Sequence, residues 1–395
     1  MIGVYLHLPF CLSKCAYCDF ASQPLGAAGG LPAARRYLEA LHVELDLRAA
    51  SAEFSGAQVE TIYLGGGTPT VLPAEWQAEL LTRVRYRFGV AEGAEVTVEA
   101  NPGTVDRAKM AALLAAGINR VSLGVQSFSD DVLRTLGRVH DAGNVMAAIE
   151  AVRAAGCLNL NLDLIYAAPG QSLAAWEETL GRAVEAGPEH ISTYGLSVEE
   201  GTPLAAAIER GELDAPDDAL YAEMYAMAGD LLTRAGYEHY EISSFARAVG
   251  DCDSMFQPAE ASWECRHNRR YWANHEYLGL GASAHSFRGG LRWNNLAEVE
   301  VYTERLEKGL LPVARAETLS PRSRVGEMLM LGLRRGEGVR EDEIGERCGL
   351  APRDAFGEEI EDLCQRGLLM SEGGRLWIER ENWLISNEVL ARFVG

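Results

Sequence analysis

Short apolar runs alternate with longer helical patterns over the first 235 residues, and this alternation constrains the fold more than any other feature of the chain. Val4–Leu8, Thr61–Leu64, Glu95–Glu99, Arg120–Gly124, Leu158–Ile165 and His190–Leu196 read as six strands. Helical patterns fall between and after them: about Ala33–Arg48, Ala74–Tyr86, Val105–Ala116, a stretch ending near Ala155, Leu173–Ala186 and Ala219–Ala235. Each helical crossover returns the chain in the same direction, so such repeats build a parallel α/β sheet. Six repeats suggest a partial (βα)6 TIM-like barrel rather than a doubly wound sheet, although periodicity alone leaves both open. The loops after the strands then gather at one end and form the site.

Beyond residue 236 the pattern changes. Residues 237–300 carry aromatics and histidines with a candidate strand at Tyr277–Leu280, and Asp251–Glu264 reads as a loop. From Pro321 three helices are expected (Arg324–Leu333, Glu341–Cys348, Arg353–Arg366). Leu368–Met370 and Leu376–Ile378 then flank Glu372-Gly373-Gly374 as a hairpin, giving a winged-helix-like tail. The expected division is 1–235, 236–315 and 316–395.

Charge narrows the function. The chain has 36 Lys and Arg against 57 Asp and Glu, a net charge of −21, which repels phosphate backbones and anionic lipid. No nucleic-acid partner is expected. No apolar run reaches the roughly 18 residues of a membrane span, and Met1–Phe10 lacks the features of a secretory signal. A cytoplasmic location is expected. In that reducing compartment the eight cysteines read as metal ligands or buried thiols rather than disulfides.

Three of those cysteines, Cys11, Cys15 and Cys18, share one short loop after the first strand. Their C-x3-C-x2-C spacing suits three irons of a [4Fe–4S] cube, leaving a fourth iron for another ligand. A zinc site completed by His7 or Asp19 is the alternative.

The wider pattern Tyr5-x-His7-x-Pro9-Phe10-Cys11-x3-Cys15-x-Tyr17-Cys18 strongly resembles the cluster loop of radical S-adenosylmethionine (SAM) proteins, in their coproporphyrinogen dehydrogenase-like branch. The resemblance implies that the open iron binds the amino and carboxylate groups of SAM, and that an electron from the cluster cleaves it to methionine and a 5′-deoxyadenosyl radical. It extends to Gly66, Gly67 and Thr68 as a glycine motif for the methionine moiety. Glu99, Gln126, Arg138 and Asp163 match further SAM contacts, and Tyr5 is expected to lie against the same site. An electron donor for the cluster is implied too.

Within the branch two readings compete. The oxygen-independent coproporphyrinogen III dehydrogenases, which convert two propionates to vinyl groups, carry a further cysteine where this chain has Phe20. The substitution resembles the haem chaperone group instead, as does His267-Asn268-Arg269-Arg270-Tyr271-Trp272, whose His-Asn-x-x-Tyr-Trp pattern is that group's and implies His267 as a haem ligand. Tyr271 and Trp272 suit a flat macrocycle, and Arg266, Arg269 and Arg270 suit propionates. The bland reading of the same residues is a hydrogen-bonded core histidine with two core aromatics. Cys265 is a competing thiolate, while Cys157, Cys348 and Cys364 read as core thiols. His275 and His285 read as structural, with haem contact the lesser alternative. The chaperone reading brings haem-accepting proteins as partners and requires no turnover of a substrate. A catalytic role and a homodimer both stay open.

Overall fold

The computed structural model describes residues 1–248 and 262–394. Most of the Asp251–Glu264 loop, with Cys252, lies outside the described residues. The chain begins with β1 (Ile2–Leu8), whose side chains are buried on both faces as in a central parallel strand. A pair of two-residue strands, β2 (Phe10–Cys11) and β3 (Gln23–Pro24), then closes the base of the cysteine loop. The barrel repeats follow as α1 (Gly30–Ala50), β4 (Gln58–Gly66), α2 (Ala74–Arg87), β5 (Gly89–Ala100), α3 (Arg107–Ala115) and β6 (Arg120–Gln126). They continue through α4 (Asp130–Thr135), α5 (Ala142–Ala154), β7 (Leu160–Tyr166), α6 (Leu173–Glu185), β8 (His190–Gly195), α7 (Pro203–Glu209) and α8 (Asp218–Arg234). Local chemistry starts several of these helices: Asp106, Asp141, Ser172 and Asp217 each accept a backbone N–H at the helix entrance.

β1, β4, β5, β6, β7 and β8 pair in that order, all parallel. The fold is thus the expected partial (βα)6 barrel. Its sheet runs further than the alternation implied. On the far side of β8 it gains the antiparallel hairpin β9 (Tyr237–Glu241) and β10 (Ser244–Arg247). After α9 (Arg266–Trp272), the strand expected at Tyr277–Leu280 forms as β11 and adds parallel to β1. Antiparallel β12 (His285–Arg288), β13 (Leu291–Asn295) and β14 (Val313–Thr318) then extend that edge, with α10 (Val299–Glu307) in between. The 12-stranded sheet ends on β14 and β9, so the barrel stays open.

A second core, built from Leu329, Leu333, Phe356, Ile360, Trp383 and neighbours, lies under α11 (Pro321–Gly332), β15 (Val339–Arg340), α12 (Glu341–Cys348), α13 (Pro352–Gln365), β16 (Met370–Glu372), β17 (Arg375–Trp377) and α14 (Ser386–Leu390). Helices with a three-stranded sheet of order β15-β17-β16 make the expected winged-helix-like unit. It docks on the barrel through Arg347, which donates to the carbonyls of Ala273 (2.9 Å) and Asn274 (2.5 Å), and through Gly336 N–H to the Tyr240 carbonyl (3.0 Å). Among the described residues no helix is long and apolar enough to cross a membrane.

Candidate cluster and ligand site at the barrel mouth

The cysteine loop is tied down at both ends. Gln23 and Leu25 donate to the carbonyls of Pro9 and Cys11, and Ala16 exchanges backbone bonds with Leu136 and Leu204. Cys11, Cys15 and Cys18 are half-buried, and burial pushes the Cys11 and Cys18 thiols up, with further upward pressure on both from Cys15 and on Cys11 from Cys18. The three sulfurs are therefore within electrostatic reach of one another and gain from a polycationic centre. Among the described residues no three such side chains are gathered closely enough for a single ion. The zinc alternative also loses its histidine: His7 Nε2 donates to the Ala21 carbonyl (2.8 Å) and Nδ1 accepts from Tyr5 Oη (3.0 Å).

Around the loop stand the residues expected for SAM. Gly66 ends β4 at φ +108, and a Cβ there would meet the His7 ring at 2.4 Å; at Gly67 it would meet the Phe10 carbonyl at 2.6 Å. The glycines thus let β4 press against β1 and the cysteine loop, a packing reason the sequence did not show. Thr68 donates to Cys11 Sγ (3.7 Å) and accepts from Asn101 Nδ2 (2.7 Å). Glu99, near the end of β5, accepts from Tyr63 Oη (2.9 Å) and from Gly66 N–H (3.1 Å), and has no ion-pair partner among the described residues. Burial pushes its carboxyl up to about 7, with Asp163 adding to the rise.

Gln126 closes β6 with a buried side chain and φ +65, an uncommon backbone for a non-glycine. Arg138 does not wait free for a carboxylate. It donates to Cys15 Sγ (3.3 Å), Asn101 Oδ1 (2.5 Å) and the Gly124 carbonyl (2.8 Å), so it now balances the Cys15 sulfur. Asp163 lies inside β7 rather than at its end, accepting from Ser122 Oγ (2.9 Å) and Asn161 Nδ2 (2.9 Å). Asn101, bridging Thr68 to Arg138, was visible in sequence only as part of an Asn-Pro-Gly turn.

The second region lies beside this mouth. His267 is buried at 1% exposure on α9, with Nδ1 bonded to Thr61 Oγ1 (2.8 Å) and Nε2 to Tyr271 Oη (2.9 Å). Burial, then Arg270 and Arg120, push it down to about 3, so the ring is neutral. It thus takes the form of the hydrogen-bonded core histidine and offers no free ring nitrogen as it stands. Tyr63 stacks on it at 5.1 Å, and Tyr271 meets it edge-on at 5.0 Å.

The arginines of the motif are also engaged. Arg269 pairs with Glu264 and Glu337, Arg270 with Glu60, and Arg266 with Glu60 and the Gly93 carbonyl. Cys265 is wholly buried against Glu95 and pushed up to about 12 by that burial, which leaves no reactive thiolate. Cys157 and Cys348 are buried, and Cys364 half-buried, as expected.

Tyr271 and Trp272 instead line a cavity of about 420 Å³ with Tyr5, His7, Tyr277, His285, Phe287, Arg292, Met330 and Leu331. Two of its other lining residues, Asn274 (φ +48) and Ser283 (φ +62), hold left-handed backbones, a strain that collects at binding sites. The volume lies in the range of small-molecule and cofactor pockets.

Comparison with known proteins fits this geometry. Residues 5–183 match the radical SAM superfamily and residues 319–385 the HemN C-terminal domain. The chain is 40% identical to the heme chaperone HemW of Mycobacterium tuberculosis, over 100% of this chain and 95% of that protein. It is 33% identical to the Bacillus subtilis heme chaperone HemW over the full length of both. Among solved structures, coproporphyrinogen III oxidase (HemN) from Escherichia coli superposes with a TM-score of 0.82 over 100% of this chain and 90% of that one, at 24% identity, which speaks for the fold alone. A radical SAM barrel, a HemN-type C-terminal domain and full-length identity of this order together mean that the chain belongs to the radical SAM superfamily and, within it, to the HemW family.

Proposed function

We propose that this chain is a haem chaperone: it holds a [4Fe–4S] cluster and SAM at the barrel mouth, binds haem beside them and passes it to acceptor proteins. The observation that carries the reading is the cavity of about 420 Å³ lined both by Tyr271 and Trp272 of the His-Asn-x-x-Tyr-Trp motif and by Tyr5 of the mouth. Its relatives named heme chaperone HemW support it over the whole chain. Phe20, in the position of the dehydrogenases' further cysteine, is 67% exposed at the loop's outer edge and supplies no ligand.

On this reading Cys11, Cys15 and Cys18 ligate the cluster. Gly66, Gly67, Thr68, Glu99, Gln126, Arg138 and Asp163 surround SAM, with Tyr5 against it. The Glu99 carboxylate, without an ion-pair partner among the described residues, suits the SAM ammonium, and Arg138, whose bonds to Cys15, Asn101 and Gly124 do not use all five of its N–H groups, suits the SAM carboxylate. The cluster supplies one-electron chemistry when bound, fed by an electron donor in the reducing cytoplasm. The three parts of the chain divide the work: residues 1–235 carry cluster and SAM, 236–315 most of the haem-side wall, and 316–395 add Met330 and Leu331 to that wall.

An anoxic haem titration of cluster-reconstituted protein tests the reading. Saturable binding to one site, followed by transfer to an apo-haemoprotein, is expected. Absence of specific binding, with a modified tetrapyrrole found by liquid chromatography under reducing conditions, would instead establish the dehydrogenase-type enzyme.

A pH prediction follows from Glu99. Its folded value of about 7 lies above the ordinary 4.5, so the folded state holds the extra proton between those values, and the ligand-free protein loses stability as pH rises through that window. SAM binding has the opposite slope, because the ammonium pairs with the carboxylate. SAM affinity, measured by equilibrium dialysis, should weaken by roughly tenfold per pH unit below about 7. Glu99→Gln should bind more weakly and flatten that profile; an unchanged slope would remove Glu99 from the SAM site.

A further inference from the structure

We propose that the residue of this chain that ligates haem iron is His285, on β12, with Arg292 of β13 placed for a propionate. This deepens the haem-chaperone reading and rests on it. The strand geometry brings the two residues to one surface. His285 and Phe287 are two apart on β12 and therefore face the same side of the sheet. Arg292 lies directly opposite Phe287 in the antiparallel pair. All three line the cavity, while the intervening Ser286 and Trp293 are buried on the other side.

The chemical state of the ring separates His285 from the other histidines. Its imidazole makes no side-chain hydrogen bond among the described residues, it opens to solvent on one side, and the partial desolvation of the other, with the Arg292 charge, lowers its proton affinity, so a neutral nitrogen lone pair is available at neutral pH. His267 differs on every count. Ligation there would break the bonds to Thr61 or Tyr271 and turn a wholly buried ring out of the core. His7, also on the cavity wall, has both nitrogens committed to Tyr5 and Ala21. His275 makes no side-chain bond either but does not line the cavity.

Arg292 pairs with Glu327 through one amine (2.5 Å). Its planar fork keeps further N–H groups for a second carboxylate. Tyr271 and Tyr277, themselves edge-on at 4.7 Å, would flank the macrocycle. A ligand at an exposed rim with no bond of its own to break also suits a protein that must release its haem. In this arrangement His267 is a positioning residue: it holds the Tyr271 hydroxyl, and so the orientation of one aromatic wall.

The experiment is haem titration of the cluster-reconstituted full chain, with axial ligation read by resonance Raman and electron paramagnetic resonance of the ferric haem. Wild type is expected to show histidine ligation. His285→Ala should lose that signature and bind haem about tenfold or more weakly, while His285→Cys should convert it to the thiolate type. His267→Asn should keep histidine ligation. Retention of wild-type ligation and affinity by His285→Ala overturns the proposal and leaves the chaperone reading standing, as does loss of histidine ligation in His267→Asn with circular dichroism unchanged. No haem binding by wild type overturns both.

Discussion

Replacing any one of Cys11, Cys15 or Cys18 by alanine is expected to abolish the iron–sulfur cluster, seen as loss of its visible absorption and of bound iron and acid-labile sulfide after anoxic reconstitution. One loop supplies all three thiolates, and His7, a candidate substitute ligand, has both ring nitrogens engaged. The fold should survive. The sulfurs are half-buried and their contacts are the weak ones of thiols, among them Thr68 with Cys11 at 3.7 Å, Arg138 with Cys15 at 3.3 Å, and the Phe20 backbone and Ser22 with Cys18. Stability without cluster should therefore change by no more than about 0.5–1 kcal/mol, measured by thermal melting of unreconstituted proteins. A variant that retained full iron and sulfide would exclude that cysteine as a ligand.

The largest stability effect is expected at Glu95, which holds the haem-side wall to the barrel. From β5 its carboxylate accepts the backbone N–H of Arg266 (3.1 Å) and of His267 (3.0 Å), and the Cys265 thiol at 3.7 Å. It thereby fixes the entrance of α9, a helix with no side-chain cap of its own. Arg120 is buried beside this group. Burial works against its charge, and the Glu95 carboxylate is one of the neighbours that sustain it. Glu95→Ala removes the acceptor and leaves a buried cation poorly compensated, a combination that costs on the order of 3–5 kcal/mol. Denaturant unfolding should show that loss, with Glu95→Gln intermediate because it keeps one acceptor oxygen. A melting point within a degree of wild type for Glu95→Ala would mean that α9 is held by other contacts.

The barrel was legible in the sequence because each repeat states itself locally. An apolar run followed by an amphipathic one needs no distant partner to be recognised, and the helices at 74–87, 173–185 and 341–348 fall within a residue of their expected bounds. The cysteine loop was legible for the same reason. The extension of the sheet was not. β12 and β13 are short, carry Arg288 and Arg292, and become strands by pairing with each other and with β11, not by an apolar pattern of their own. The cavity needs Tyr5, Tyr271, His285 and Met330 from four separate parts of the chain, which no spacing announces. His267 shows the same limit from the other side. Its motif left a haem ligand and a hydrogen-bonded core histidine both open, and no spacing in the sequence named the partner that holds the ring, Thr61, 206 residues away.

β1 has one further consequence, for the order in which the molecule can be completed. It leads straight into the thiol-bearing loop, and its two neighbours in the sheet are β4 on one side and β11 on the other, Gly3 lying opposite Tyr277. During translation β4 emerges soon after β1, whereas β11 arrives only when the whole barrel and α9 have been made. Until then a strand buried on both faces in the finished protein presents a bare backbone edge, the kind of surface on which nascent chains associate. The thiols stand at the end of that same strand. Iron–sulfur loading is therefore best timed after residue 280 has left the ribosome, and a chain interrupted before that point is a candidate for quality control rather than for assembly.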